Sequence, residues 1–306
     1  MIQRKLLVLG SANIDLVARV SQIPRPGETR MGSSFTTVCG GKGANQAVAA
    51  ARLGAAVSFL GCVGADGFGE MQKSSLAGAG VDLTMLKTTA ELATGTAIIE
   101  VSDAGENSIV VIPGANFCLT PADVQACRPH FELADVVLMQ LEVPAAVVEA
   151  ALDLARETGT LSILDIGSDQ PIAPAALGKA TVVSPNISEA ERLTGRSIET
   201  DADIRAAAAD LRALGVEHVV MKLGARGAHY FGPDGDVFVP AFSVDVVDTT
   251  AAGDAFTAAL GVAWDPADFG KTLRFANATG GLAATCAGAQ PSLPDAAAVL
   301  ALLQRG

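Results

Sequence analysis

Short runs of Val, Leu and Ile alternate with longer, Ala-rich amphipathic runs along most of the chain. KLLVLGS from Lys5, AVSFLGCVG from Ala56, DVVLMQL from Asp135, LSILDI from Leu161, TVVSPN from Thr181 and HVVMKLG from His218 read as strands. Their apolar positions are nearly continuous, the pattern of strands buried on both faces of a parallel sheet. Between them, ANQAVAAARLGA, PAAVVEAALDLARETG and DADIRAAAADLRALG read as helices. The second opens behind Pro144 and the third is followed by Gly215, residues that punctuate helices. This alternation predicts an open α/β sheet flanked by helices.

Two stretches break the rhythm. Residues from about 13 to 39 contain DLVARVSQIP and SSFTTV, with Pro24, Pro26 and Gly27 between them. Residues from about 94 to 113 contain GTAIIEVSD, a turn at Ala104-Gly105, and NSIVVI. Both read as antiparallel pairs, which predicts a small β-sheet lid projecting from the main sheet. There is no repeat, low-complexity tract or linker, so residues 1–306 are expected to form one α/β domain carrying that lid.

Composition narrows the chemistry. With 33 acidic and 21 basic side chains the net charge is -12, which leaves no basic footprint for a nucleic acid or an anionic membrane. A phosphorylated ligand stays open, because a helix N-terminus or a metal ion holds phosphate without excess Lys or Arg. No apolar run approaches the ~18 residues of a membrane span. The first one stops at Gly10, with Asn13 and Asp15 following, unlike a signal peptide. Three scattered His argue against a His-based triad or a multi-His metal site, and five Cys without a Cys-x-x-Cys pair read as reduced thiols of a cytoplasmic protein. The 32 Gly point to tight turns and close backbone approaches.

Several segments carry candidate chemistry. In VDVVDTTAAGDAF, Val244 to Phe256, a strand-like start is followed by Ala251, Ala252 and Gly253, then Asp254 and a helical run. Small residues at such a turn let backbone N–H groups converge on an anion at the positive end of the helix. Asp254 would then either accept the proton of a hydroxyl attacking phosphorus or cap its helix, and spacing alone leaves both open. VCGGKGANQAVAAARLG, from Val38, is another Gly-rich entry to a helix, neither a Walker A loop nor a dinucleotide fingerprint. Lys42 there serves a ligand or is simply solvated. In GSANID, Asn13 and Asp15 alternate and so point the same way in extended chain, which suits vicinal hydroxyls or a polar turn. MQLE brings Glu142 to the carboxyl end of a buried strand, where α/β sheets bind ligands. In SPNISEAERLTG, Asn186 and Glu189 have the spacing of a capping box.

Taken in order, these segments resemble the PfkB-type carbohydrate kinase family, its ribokinase-like members above all. GGKGANQAVAA and DTTAAGDAF resemble the family's N-terminal and C-terminal signatures; PGETRMG, MQLE, PNISEAE, KLGARGA, RFANA and GAQPS match ribokinase-like segments, so the resemblance spans about residues 5 to 295. It implies a ribokinase-like fold and ATP-dependent phosphorylation of a sugar, with ribose converted to ribose 5-phosphate. It also implies Mg²⁺ as cofactor and K⁺ as a monovalent activator. Kinases of deoxyribose, a ketohexose or a nucleoside remain alternatives, as does a catalytically silent sugar-binding regulator.

Carried over residue by residue, the resemblance implies sugar contacts at Asn13, Asp15, Gly41, Lys42, Gly43, Asn45 and Glu142. Asp254 would be the general base, beside an anion hole from the N–H groups of Ala252, Gly253 and Asp254. Asn186 and Glu189 match a motif associated with magnesium and phosphate. Lys222, Gly224, Ala225, Gly227, Gly253 and Asn277 fall on the nucleotide side. Asp248, Thr250, Ala283, Cys286, Gly288 and Ser292 match the monovalent-cation loops, mainly through backbone carbonyls. Many relatives dimerise through the lid, which makes a homodimer an expectation here. The departures are Lys222, where Thr is common, Cys286, where Arg is common, and LDIGSDQP in place of LNPAPA, which puts Asp165 after a core strand. Gly280 and Gly281 also interrupt a helical run at about 1 kcal/mol each relative to Ala, which implies close packing or a ligand there.

Overall fold

The computed structural model describes residues 3–168 and 170–305; Met1, Ile2, Gly306 and Asp169, one residue of the LDIGSDQP segment, lie outside the described residues. The strands in chain order are β1 (Lys5–Leu9), β2 (Asn13–Val20), β3 (Gly32–Gly40), β4 (Ala56–Gly64), β5 (Leu86–Thr89), β6 (Gly95–Ser102), β7 (Asn107–Ile112), β8 (Val136–Gln140), β9 (Leu161–Asp165), β10 (Val182–Ser184), β11 (His218–Lys222), β12 (Ala228–Gly232) and β13 (Gly235–Val239). Among the described residues nine of them form one sheet in the order β13-β12-β11-β10-β9-β8-β1-β4-β5. From β11 to β5 every pairing is parallel, while β12 and β13 close one edge antiparallel.

Alternation of side chains across the pleat sorts the core into two layers. Leu7 and Leu9 of β1 join Val137, Met139, Leu164, Val183 and Val219 on one face, which the Ala145–Thr158 and Asp201–Ala213 helices cover. Leu6 and Val8 join Val136, Leu138, Ile163, Val182 and Val220 on the other, under the Lys42–Arg52, Ala252–Ala263 and Phe269–Ala283 helices. Both faces being covered is why the strands read as unbroken apolar runs. Local signals hold the helix ends: Thr200 with Asp203 and Asn186 with Glu189 form capping boxes, and Gly159 and Gly195 end helices in the left-handed conformation.

The second sheet has four strands in the order β3-β2-β6-β7. β2 with β3 and β6 with β7 pair antiparallel, as expected, but the two hairpins join through a parallel β2–β6 pairing. Both of these strands start beside Asn13 and Gly95 and run outward together, which imposes the parallel sense.

One strand expectation fails. The VDVV of residues 244–247 is irregular, with Val246 and Val247 left 63% and 65% exposed. The sheet already ends at β13, and the Val247 and Asp248 N–H groups donate instead to the Ala284 carbonyl.

Candidate active site

Loops leaving the carboxyl ends of β1, β8, β9, β10 and β11 meet the N-termini of the Lys42–Arg52 and Ala252–Ala263 helices. Gly41 enters the first helix at φ 87, and a Cβ on it would stand 2.6 Å from the Asn13 nitrogen. Gly43 lies so close to Gly10 that a Cβ would meet the Gly10 carbonyl carbon at 2.6 Å. The helix is thereby pressed onto the loop after β1, which brings Lys42 and Asn45 beside Asn13 and Asp15.

Asn13, Asp15, Asn45 and Asp254 are all buried. The Asn13 Oδ1 accepts from Asn116 Nδ2 at 2.7 Å, and Asn116 Oδ1 accepts from the Ala12 N–H at 2.8 Å. Glu142 Oε2 accepts from Ser11 Oγ at 2.5 Å and from the Lys42 N–H at 3.2 Å. Burial pushes the Glu142 carboxyl up, against the pull of the Lys42 charge and the Ser11 hydrogen bond. Asp15, packed against Gly40, is pushed up to about 7 by burial first and then by the Glu142 and Asp254 charges.

Asp254 does not cap its helix. Its Oδ2 accepts from Asn45 Nδ2 at 2.9 Å, its Oδ1 from Gln46 Nε2 at 3.3 Å, and Lys42 Nζ stands 3.8 Å away. Burial raises its pKa, while Lys42 works in the opposite direction. The Lys42 ammonium is disfavoured by its burial, but the combined field of Asp254, Asp165, Glu142 and Glu189 outweighs this and raises its pKa. Lys42 is thus half-buried against this acidic cluster, its ammonium paired with Asp254.

The helix behind Asp254 begins at Ala251, held at φ 59, the one non-glycine residue with positive φ among the described residues. A left-handed alanine costs about 1 kcal/mol, and Ala251 and the three residues after it all line one cavity. The Ala252 N–H donates to the Thr249 carbonyl at 3.2 Å. Those of Gly253 and Asp254 have no backbone partner among the described residues.

A cavity of about 840 Å³ opens on the far side of Asp254. Its walls include Lys42, Asn186, Glu189, Lys222, Gly224, Ala225, Gly227, Gly253 and Asn277, and also Gly280 and Gly281. A Cβ on Gly280 would come within 3.1 Å of the Ala252 carbonyl, so close packing of two helices accounts for this glycine. Asn186 and Glu189 form the capping box that their spacing predicts, and each Glu189 oxygen accepts one hydrogen bond from Asn186. Asn277 Nδ2 donates to the Val239 and Pro240 carbonyls, at the end of β13, at 2.9 and 3.2 Å. Ala241, Phe242 and Ser243 also line the cavity, and the irregular segment after β13 that holds them carries no motif. Gln46, Gln140 and Asn116 carry no role legible in the sequence, because their partners Asp254, Gln46 and Asn13 are distant along the chain.

The residues matched to a monovalent cation fall in two neighbouring loops. Asp248 Oδ1 accepts from the Thr250 N–H and hydroxyl at 2.9 and 2.7 Å, and its Oδ2 from the Gly288 N–H at 2.9 Å. The Cys286 N–H donates to the Ala283 carbonyl at 3.4 Å, and Ser292 is buried with its hydroxyl on Ala289. All five cysteines are free thiols, and no described helix is long and apolar enough to cross a membrane.

The chain is 37% identical to a ribokinase of Haemophilus influenzae over 303 residues, 99% of either chain. It is 36% identical to a deoxyribokinase of Salmonella typhi over 252 residues, 82% of either. A solved structure of Arabidopsis thaliana ribokinase with ribose and ATP superposes with a TM-score of 0.91 at 35% identity, covering 99% of both chains. The model of the pfkB family carbohydrate kinases matches residues 3–296, and the chain belongs to that family.

Proposed function

We propose that the chain transfers the terminal phosphate of ATP to the primary hydroxyl of ribose, giving ribose 5-phosphate. The observation that carries this reading is the orientation of Asp254, turned away from its own helix and poised between the Asn13–Asp15–Glu142 cluster and the large cavity. Asp15 and Glu142 accept hydrogen bonds from sugar hydroxyls, while Asn13 and Asn45 donate or accept, the Asn45 Oδ1 having no protein partner. Asp254 takes the proton of the hydroxyl as its oxygen attacks phosphorus in line. The Gly253 and Asp254 N–H groups, with Lys42, offset the charge that develops on the phosphoryl oxygens.

The nucleotide occupies the cavity along Lys222, Gly224, Ala225, Gly227 and Asn277. Magnesium suits the donors present, since Glu189 keeps lone pairs beyond its two capping hydrogen bonds, and Mg²⁺ at ATP sites needs one or two carboxylates plus phosphate. Bound there, it supplies charge neutralisation to the phosphates. The loops around Asp248 and Gly288 would hold K⁺ through carbonyl oxygens, so rates in potassium buffer should exceed those in sodium. Reduced cysteines fit a cytoplasmic setting. The apolar lid, with Phe35, Ile98, Val110 and Val111 exposed, fits a homodimer.

The deciding test is a coupled assay over ribose, deoxyribose, fructose and nucleosides. Ribose should give the highest kcat/KM. A higher value for any other sugar would overturn the assignment of ribose and leave the kinase chemistry standing.

A further inference from the structure

Two of the sequence departures, Asp165 and Lys222, lie 57 residues apart and meet in a salt bridge between Lys222 Nζ and Asp165 Oδ1. The pair is asymmetric. The Asp165 side chain is 0% exposed, whereas that of Lys222 is 12% exposed and forms part of the cavity wall. Lys222 is also anchored from behind, its N–H donating to the Pro185 carbonyl at 2.8 Å, one residue before Asn186.

An ammonium has three donors, and Asp165 is the one partner of this group found among the described residues. A Cβ built on Gly253 would lie 4.0 Å from Lys222 Nζ, so the charge sits beside the unpartnered N–H groups that open the Ala252–Ala263 helix. The other Asp165 oxygen accepts from Gln46 Nε2 at 2.9 Å, and the same amide reaches Asp254 Oδ1 at 3.3 Å. Gln140 Nε2 fixes Gln46 from behind by donating to its Oε1 at 2.7 Å. One buried network thus connects the base to a lysine on the opposite side of the helix terminus.

We infer that Lys222 contacts the terminal phosphate of the bound nucleotide during transfer, and that Asp165 is a positioning residue that aims it and, through Gln46, ties its placement to Asp254. This rests on the kinase reading above. A pair that only filled the interior would bury both charges and saturate both with hydrogen bonds. Here the acid is enclosed, and the cation keeps free donors toward a cavity that already offers two N–H groups to an anion.

The test uses Lys222→Gln, Asp165→Asn and the double variant, each followed by thermal melting, kcat at saturating sugar, and calorimetric affinities for ADP and a non-hydrolysable ATP analogue. Lys222→Gln should lower kcat about a hundredfold, the scale of one lost donor to a developing oxyanion, and weaken the analogue more than ADP. Asp165→Asn should leave the analogue bound as well as before or better, yet lower kcat about tenfold through loss of aim. The double variant should melt near the wild type, because neither charge is left unpaired, but keep the low kcat of Lys222→Gln.

Recovery of kcat in the double variant would mean a purely structural pair and overturn the inference. So would equal weakening of analogue and ADP by Lys222→Gln. Should either single variant fail to fold, the double variant carries both comparisons. A wild type that phosphorylated no sugar would sink the kinase reading instead, and the analogue-against-ADP comparison would still decide the role of Lys222.

Discussion

Asp15 and Asp254 belong to one polar cluster, and burial raises both carboxyls for different ends. Asp15 sits at about 7 in the fold against 3.8 as its ordinary value. Between those two values the unfolded chain has lost the proton and the folded one keeps it. The stability contributed by the neutral form is complete below about pH 4 and is lost as pH rises through about 7. At about 1.4 kcal/mol per unit the sum is on the order of a few kcal/mol. Asp15→Asn keeps the shape and removes the titration, so the sugar-free variant should melt above the wild type at pH 8 and match it near pH 4, while losing affinity for sugar. Melting curves at the two pH values, with a sugar titration, check this; an equal offset at both would refute it.

Asp254→Asn should lower kcat by about 10³-fold or more, within reach of what a general base contributes, and leave sugar binding largely intact. Near-wild-type turnover in that variant would remove Asp254 as the base. At this scale the sequence was legible only in part. The capping-box spacing of Asn186 and Glu189 describes their hydrogen bonds correctly, because a box is made within one turn. Whether Asp254 caps or faces outward was undecidable from spacing, since Asn45, 209 residues away, sets its direction.

Among the elements, the buried parallel strands and the Ala-rich helices were the easiest to read, since two covered faces enforce continuous apolar runs. The composition of VDVV favours strand, but the Val247 and Asp248 N–H groups donate to the Ala284 carbonyl instead of to a neighbouring strand. The β12–β13 hairpin is not among the strands expected from the sequence, although Pro233 and Asp234 join its strands as turn residues. Gly280 carries a prediction at this scale. Alanine there gains about 1 kcal/mol of helix propensity, but its Cβ would press on the Ala252 carbonyl from 3.1 Å. Gly280→Ala should therefore melt close to the wild type and lose several-fold in kcat, because the helix terminus beside Gly253 must shift. Unchanged kcat would show that this contact yields without cost.

For the whole molecule, the net charge of -12 is mirrored at the site, where Asp15, Glu142, Asp165, Glu189 and Asp254 outnumber Lys42 and Lys222. Phosphate chemistry in such a field depends on an added cation and on helix N-termini rather than on a basic patch. The second sheet adds a further expectation. All six residues of β7 are exposed, including Ile109, Val110, Val111 and Ile112. An apolar edge strand of this kind needs a cover. Sedimentation should find a dimer for the wild type and a monomer for Val110→Lys; a wild-type monomer would refute the assembly.

The α/β architecture, the two hairpins of the second sheet and the order of the ligand-prone loops are legible in the amino-acid sequence alone, because these follow from periodicity and from residues adjacent in the chain. The tertiary structure decided which polar groups meet. It turned Asp254 toward Asn45 and Gln46, joined the hairpins in parallel, withheld VDVV from the sheet and brought Asp165 to Lys222. Such pairings depend on how helices and loops distant in sequence pack, and no local pattern encodes the distance between side chains that only folding brings together.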